Sequence, residues 1–287
     1  MIRSRLLATT AMPLLVLAPL SGALADGHEG LPAVSTVNGK LAAGGGAISG
    51  DTSGFVEGSL SIPVGHSYGV QIDGLGGVSD DDGFFGAGAH VFWRDPDTGL
   101  IGLFGSVTNA DFGEDYTHFV GAVEGEYYAG RVTVEGFAGF EGGDDVESGF
   151  IGIGDLAYYP EDDLRLSIGA RYIQEDFMGA AGAEYQINEI APGVSLFAEG
   201  RAGDDDNWQA VGGIRIHLGA DDKTLIRRHR EDDPKNRQRE FLLEVDSTDK
   251  RSASPSEESG NESDETGNES DENGYESDEN GYEYFRS

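Results

Sequence analysis

The chain has no cysteine at all among its 287 residues, so no disulfide or thiolate chemistry can hold it together or act in it. Basic residues are scarce: 19 Lys and Arg stand against 53 Asp and Glu, a net charge of −34. A nucleic-acid partner is excluded by that balance, because phosphate binding needs basic patches and this field repels the polymer. Long apolar runs are missing too. After the first 25 residues no stretch reaches the ~18 apolar residues of a membrane-crossing helix. Whatever the mature chain does, it does it either as an exported soluble protein or with strands in a lipid bilayer.

The one apolar run that exists is an address. Arg3 and Arg5 precede Leu6 to Leu20, and Ala23-Leu24-Ala25 supplies a small-x-small cleavage site. Residues 1–25 therefore read as a signal peptide, with the mature chain starting at Asp26. Residues 26–34 read as a short periplasmic leader.

What the chain does have is glycine, 45 of them, spread through short runs with period-two alternation. Trp208, Ala210, Gly212, Ile214, Ile216 and Leu218 share one face, with Gln209, Arg215 and His217 on the other. Val132, Val134, Gly136, Ala138 and Phe140 alternate with Arg131, Thr133, Glu135 and Glu141, and Leu164 to Tyr172 repeats the pattern against Arg165, Ser167 and Arg171. The run from Phe150 is less regular, since Ile151 and Ile153 share a face with Asp155. Twelve such runs start near Val37, Gly54, His66, Gly83, Gly99, Tyr116, Arg131, Ser148, Leu164, Gly179, Gly193 and Asn207.

The connections alternate between tight turns (Pro63 to Gly65, Arg94 to Gly99, Ala129-Gly130, Pro160 to Asp163, Asn188 to Gly193) and acidic loops around Gly50 to Ser53, Asp80 to Asp82, Asp111 to Asp115, Glu141 to Glu147, Glu175-Asp176 and Asp204 to Asp206. Aromatics crowd the ends of the runs. Trp93, Tyr127-Tyr128 and Tyr158-Tyr159 sit by the tight turns, and Phe55, Phe84-Phe85, Tyr116, Phe119, Phe140, Phe150, Tyr172, Phe177 and Trp208 by the acidic loops. Two aromatic girdles around an aliphatic band mark a surface set in lipid. A soluble sandwich would place its large rings mid-strand.

Architecturally, residues 35–218 resemble the Gram-negative outer-membrane β-barrel class, in its porin-like form. The resemblance implies an all-β, antiparallel, up-and-down transmembrane barrel of about 12 strands, within a range of ten to fourteen. It implies an outer-membrane location, with tight turns facing the periplasm and acidic loops facing out. It also implies partners: outer-membrane lipid and lipopolysaccharide, small solutes or cations, and the outer-membrane assembly machinery. The chain departs from the class at its end, because such barrels commonly stop at an aromatic residue of the last strand, whereas ~69 residues follow Leu218.

Phasing the strands assigns a lumen lined by Lys40, Glu57, Asp73, Glu124, Glu126, Arg131, Glu135, Asp155, Arg165, Arg171, Glu184, Glu199, Arg201 and Arg215; Arg94 alone of the body's bases falls outside it. Charges facing lipid near the midplane cost ~2–4 kcal/mol each, so they belong inside. They either pair into a polar plug that holds the barrel shut or line a narrow solute path. Inward glycines such as Gly69, Gly86, Gly88, Gly139, Gly169, Gly182 and Gly213 leave space and favour the path. The expected function is a narrow porin-like channel with weak cation preference. The alternative is a plugged structural or adhesive barrel, and an outer-membrane hydrolase or acyltransferase built on His118 and Ser106 ranks last, so the chain reads as a non-enzyme.

No resident cofactor is expected. Asp80, Asp82, Asp204 and Asp206 are candidates for a weakly held Ca²⁺ or Mg²⁺ at the acidic rim, against the simpler reading of a solvated rim. Residues 219–245 form a basic, mixed-charge segment placed in the periplasm, where Pro234 allows two short helical pieces at most. Residues 246–287 carry seven-residue acidic repeats (Gly-Asn-Glu-Ser-Asp-Glu-Thr at 260–266) without the apolar pair of a coiled coil, and read as a disordered periplasmic tail.

Overall fold

In the computed structural model the described residues are 30–48, 51–80, 82–111, 115–144, 146, 148–189, 191–203, 208–219, 223–232 and 234–241. The signal peptide, most of the leader, the repeat tail, Asp204 and Asp206 lie outside them. Twelve antiparallel strands close into a barrel: β1 (Asn38–Ile48), β2 (Asp51–Val64), β3 (Tyr68–Ser79), β4 (Asp82–Asp95), β5 (Gly99–Asp111), β6 (Asp115–Ala129), β7 (Val132–Asp144), β8 (Gly149–Glu161), β9 (Leu164–Ile173), β10 (Asp176–Gln186), β11 (Val194–Ala202) and β12 (Trp208–Leu218). Every strand pairs with its sequence neighbours. The seam is closed by β1 against β12, from Gly39 opposite Leu218 to Ile48 opposite Gln209. Closure leaves no strand edge unpaired, which is what a sheet in hydrocarbon requires.

The pleat does the sorting. Along β7, Val134 and Phe140 are exposed while Thr133, Glu135, Phe137 and Glu141 are buried. Along β12, Trp208, Ile214, Ile216 and Leu218 face out while Gln209, Val211 and His217 face in. The outer surface is an aliphatic band that includes Val56, Ile72, Leu103, Val123, Leu156, Ile168 and Ile214. Rings bracket that band: Tyr68, Trp93, Tyr127, Tyr158 and Tyr185 at the tight-turn end; Phe85, Phe119, Phe140, Phe150, Tyr172, Phe177 and Trp208 at the acidic-loop end. An apolar exterior over a charged interior inverts the order of a soluble fold, and suits lipid.

Adjacent rings cannot share a girdle. Tyr128, Tyr159, Phe55 and Phe84 are at most 5% exposed and point into the barrel, because consecutive strand residues face opposite ways. The strands, at nine to fifteen residues, also overrun the ~9–11 needed to cross hydrocarbon.

Ile168 sits mid-strand on the lipid face of β9 and is 64% exposed. Ile168→Arg should destabilise the folded barrel by ~2–4 kcal/mol in lipid. The check is the urea midpoint in vesicles; an unchanged midpoint would place that face in water.

Candidate functional site

The lumen is the site. Thirteen of the fourteen residues phased inward line it, and Arg131 does not. Arg131 stands half-exposed in the tight turn before β7, where its guanidinium reaches Asp162 at 2.8 Å and the Tyr159 carbonyl at 3.0 Å, clasping two turns together. Arg94 goes the other way. At the end of β4 it is 1% exposed, lies 4.9 Å over the Phe92 ring and donates to the Ala33 carbonyl. Both reversals occur at strand ends, where one residue of boundary error flips the face.

Wall charges pair mostly with other strands. Arg165 meets Glu135 at 2.6 Å, and Arg171 grips Asp155 through two bonds of 2.8 and 3.1 Å. Arg215 bridges Glu184 and Glu57. The Glu126 carboxylate accepts the Tyr128 hydroxyl at 2.7 Å. His90, which has no exposed surface, stands between Asp73 and Glu124 at 2.8 Å from each. That histidine is an inward position of β4 with no local motif around it to mark it in the sequence.

What sequence reasoning missed is the content of the lumen. The segment after β12, placed in the periplasm as residues 219–245, runs through the barrel in its described part. It starts at the tight-turn end, where the Leu225 amide donates to Asp163 and the Lys223 carbonyl accepts from Gln186. Helix α1 (Leu225–Glu231) packs there, with Arg230 on the Val132 carbonyl and on the Tyr128 and Tyr159 rings. The Tyr159 hydroxyl lies 2.9 Å from the His229 Nδ1. Ser35, in the stretch before β1, donates its amide to the Glu231 carbonyl and ties the two chain ends together.

Farther in, the Pro234 carbonyl accepts from Lys40 at 2.8 Å and Gln71 at 3.2 Å, and Asn236 reaches Ser59. Arg237 lies near Glu135 and over the Phe137 ring. Arg239 pairs with Glu199 at 2.7 Å and Glu57 at 3.4 Å and lies against the rings of both Phe55 and Phe197. Glu240 answers Arg171 at 2.9 Å and Lys235 at 2.9 Å, and its carbonyl accepts from Arg201. Phe241 is fully buried among Phe104, Phe137, Ile151, Ile153, Ile173 and Met178. The irregular inward isoleucines of β8 are the nest for this ring.

The inward glycines do not open a path. Gly86 and Gly88 make room for the Gln238 amide; a Cβ on Gly88 would stand 2.1 Å from its nitrogen. A Cβ on Gly169 would meet the Asp155–Arg171 pair at 2.0 Å. Among the described residues the lumen holds two cavities of about 50 and 30 Å³, lined by charged side chains including Lys40, Glu126, Glu184 and Arg215 in the larger.

Of the enzymatic and metal candidates, His118 and Asp80 have partners among the described residues. His118 is buried against Glu141 at 3.0 Å, beside Phe241. Asp80 accepts the Thr52 amide and closes its loop. Among the described residues no cluster of three or more His, Asp or Glu is arranged to hold a metal ion.

No protein-family model matches the sequence, and no curated protein matches it. Solved structures do match. A KdgM porin aligns over 63% of this chain and 99% of its own length, at 9% identity and a TM-score of 0.51. The same porin "in complex with disordered oligogalacturonate" gives 0.50 at the same identity and coverage. The fold is that of an outer-membrane β-barrel. A third match, Omp33 of Acinetobacter baumannii, covers 63% of this chain and 98% of its own at 11% identity and a TM-score of 0.41. The 63% shared is accounted for by the barrel.

Proposed function

We propose that the protein is a porin-like outer-membrane channel with a preference for cations, held closed by its own residues 223–241. One observation carries this reading: the lumen filling is a basic segment joined covalently to the barrel at one end and held otherwise by non-covalent contacts. Withdrawn, it would leave a wall where Glu57, Asp73, Glu124, Glu126, Glu135, Asp155, Glu184 and Glu199 outnumber Lys40, Arg94, Arg165, Arg171, Arg201 and Arg215. Such a wall draws cations and repels anions. A carboxylated ligand such as oligogalacturonate does not suit it. On this reading the girdles meet outer-membrane lipid and lipopolysaccharide, the assembly machinery inserts the barrel, and any Ca²⁺ or Mg²⁺ at the rim is weakly held.

A structural barrel without conductance is the second reading, favoured by the density of paired charge around Arg237, Arg239 and Glu240. Planar-bilayer recording separates the two. The full chain should be almost silent, and a chain ending at Gly219 should show discrete steps with a reversal potential on the cation side. A truncated barrel that keeps heat-modifiable gel migration but never conducts would establish the structural reading instead.

A further inference from the structure

The buried path of the C-terminal segment has a direction. Leu225 and Ile226 bond to Asp163 and Asp162 in the turn before β9, at the end where Asn38 and Leu218 also lie. Pro234 and Asn236 are level with Lys40, Gln71 and Ser59, part-way along their strands. Gln238 reaches Thr108, ten residues into the thirteen of β5. The Glu240 carbonyl bonds to Arg201, next to the last residue of β11, and Phe241 touches side chains from the acidic-loop ends of β8, β9 and β10. Each step is farther from the tight turns than the one before.

We infer that the chain threads its own barrel, so that residues 242–287 emerge at the acidic-loop mouth, on the opposite side of the membrane from Asn38 and Leu218. The inference rests on the membrane location proposed above, but not on conductance. Two physical arguments support it. First, the two cavities of about 50 and 30 Å³ found among the described residues hold a few waters each, so neither admits a chain turning back after Phe241. Second, charge sorts the segments: the basic residues sit in the acidic wall, whereas the repeats beyond Asp246 are polyacidic and are repelled by it. The basic segment is the axle and the acidic repeats are the exported cargo. The protein thereby displays a polyanionic tail outside the cell without any separate secretion apparatus for it.

Cysteine chemistry tests this cleanly, because the chain has none of its own. Three single variants are expressed in Gram-negative cells: Ser287→Cys at the terminus, Ser148→Cys beside an acidic loop and Thr36→Cys at the tight-turn end. A membrane-impermeant maleimide should label Ser287→Cys and Ser148→Cys in intact cells, and Thr36→Cys at least tenfold less until the outer membrane is permeabilised. Labelling of Ser287→Cys that instead follows Thr36→Cys would overturn the threading while leaving the membrane reading intact. Absence of all three from the outer-membrane fraction would sink the membrane reading, and the inference with it.

Discussion

Replacing Arg237 and Arg239 together by glutamate should turn a nearly silent barrel into a conducting one. Arg237 is 2% exposed, near Glu135 and Glu240 and over Phe137; Arg239 lies between Glu57 and Glu199 with two phenylalanine faces on it. Removing one partner of a buried ion pair costs ~3–5 kcal/mol, because the other charge stays behind uncompensated. Two reversals therefore work against the seated segment by ~6–10 kcal/mol, before counting repulsion between the new carboxylates and the wall. Against that stand the burial of Phe241, ~1.5–3 kcal/mol, hydrogen bonds of Pro234 and Asn236 at ~0.5–1.5 kcal/mol each, and the Glu240 pairs with Arg171 and Lys235. Residues 223–232 keep their contacts at the tight-turn end. The seated state loses. The barrel does not, since neither substitution touches a strand and the ladders between β1 and β12 remain complete. Single-channel recording should show steps in Arg237→Glu/Arg239→Glu, and trypsin should cut after Lys235, which is shielded in the parent. A variant that stays silent and uncut while remaining heat-modifiable would mean that the segment is held by something other than these charges.

The same numbers explain why the threaded segment was hard to read in the sequence. Strand number was legible because alternation is local: each of the twelve runs carries its own period, and their starts fall within three residues of the observed ones. Pro234 was legible for the same reason, and it separates α1 from the short helical turn at 238–241. The partners of the segment, by contrast, lie far along the chain, 39 residues away for Arg201 with Glu240 and 194 for Lys40 with Pro234. Asn236 bonds to Ser59 and Arg239 to Glu57; no spacing rule links them. The usable signals were global. Nine inward acids, Glu141 among them, against six inward bases leave a wall short of cations, and the basic residues of 223–239 are the cations it lacks. Inward rings at Phe55, Phe137 and Phe197 and inward aliphatics at Ile151 and Ile153 were also unneeded by a water-filled pore. Glycine was read the wrong way round: Gly86 and Gly88 do leave space, but for Gln238 rather than for a solute.

His90→Leu should be the most damaging single change in the wall. From β4 the imidazole reaches the neighbouring β3 and, across β5, β6, with Nε2 at 2.8 Å from Asp73 and Nδ1 at 2.8 Å from Glu124. Its ring packs 4.7 Å from Phe104, which in turn touches Phe241. Leucine preserves the bulk and the contact with Phe104 but removes the partner shared by two buried carboxylates, of which Asp73 keeps its bond from Gln71. The cost of leaving such charges unpaired is again ~3–5 kcal/mol, and it falls on the barrel itself rather than on a detachable segment. Both outcomes separate in one experiment. The urea midpoint of the barrel in lipid should drop for His90→Leu, whereas it should hardly move for Arg237→Glu/Arg239→Glu. Restoring neutrality decides whether charge or shape is responsible: adding Asp73→Asn and Glu124→Gln to His90→Leu removes both carboxylate charges and should recover most of the loss, because a buried ionic group replaced as a whole is far less harmful than one broken in half. A triple variant as unstable as His90→Leu alone would assign the loss to packing against Phe104, and would leave the wall's polar network without the role given to it here.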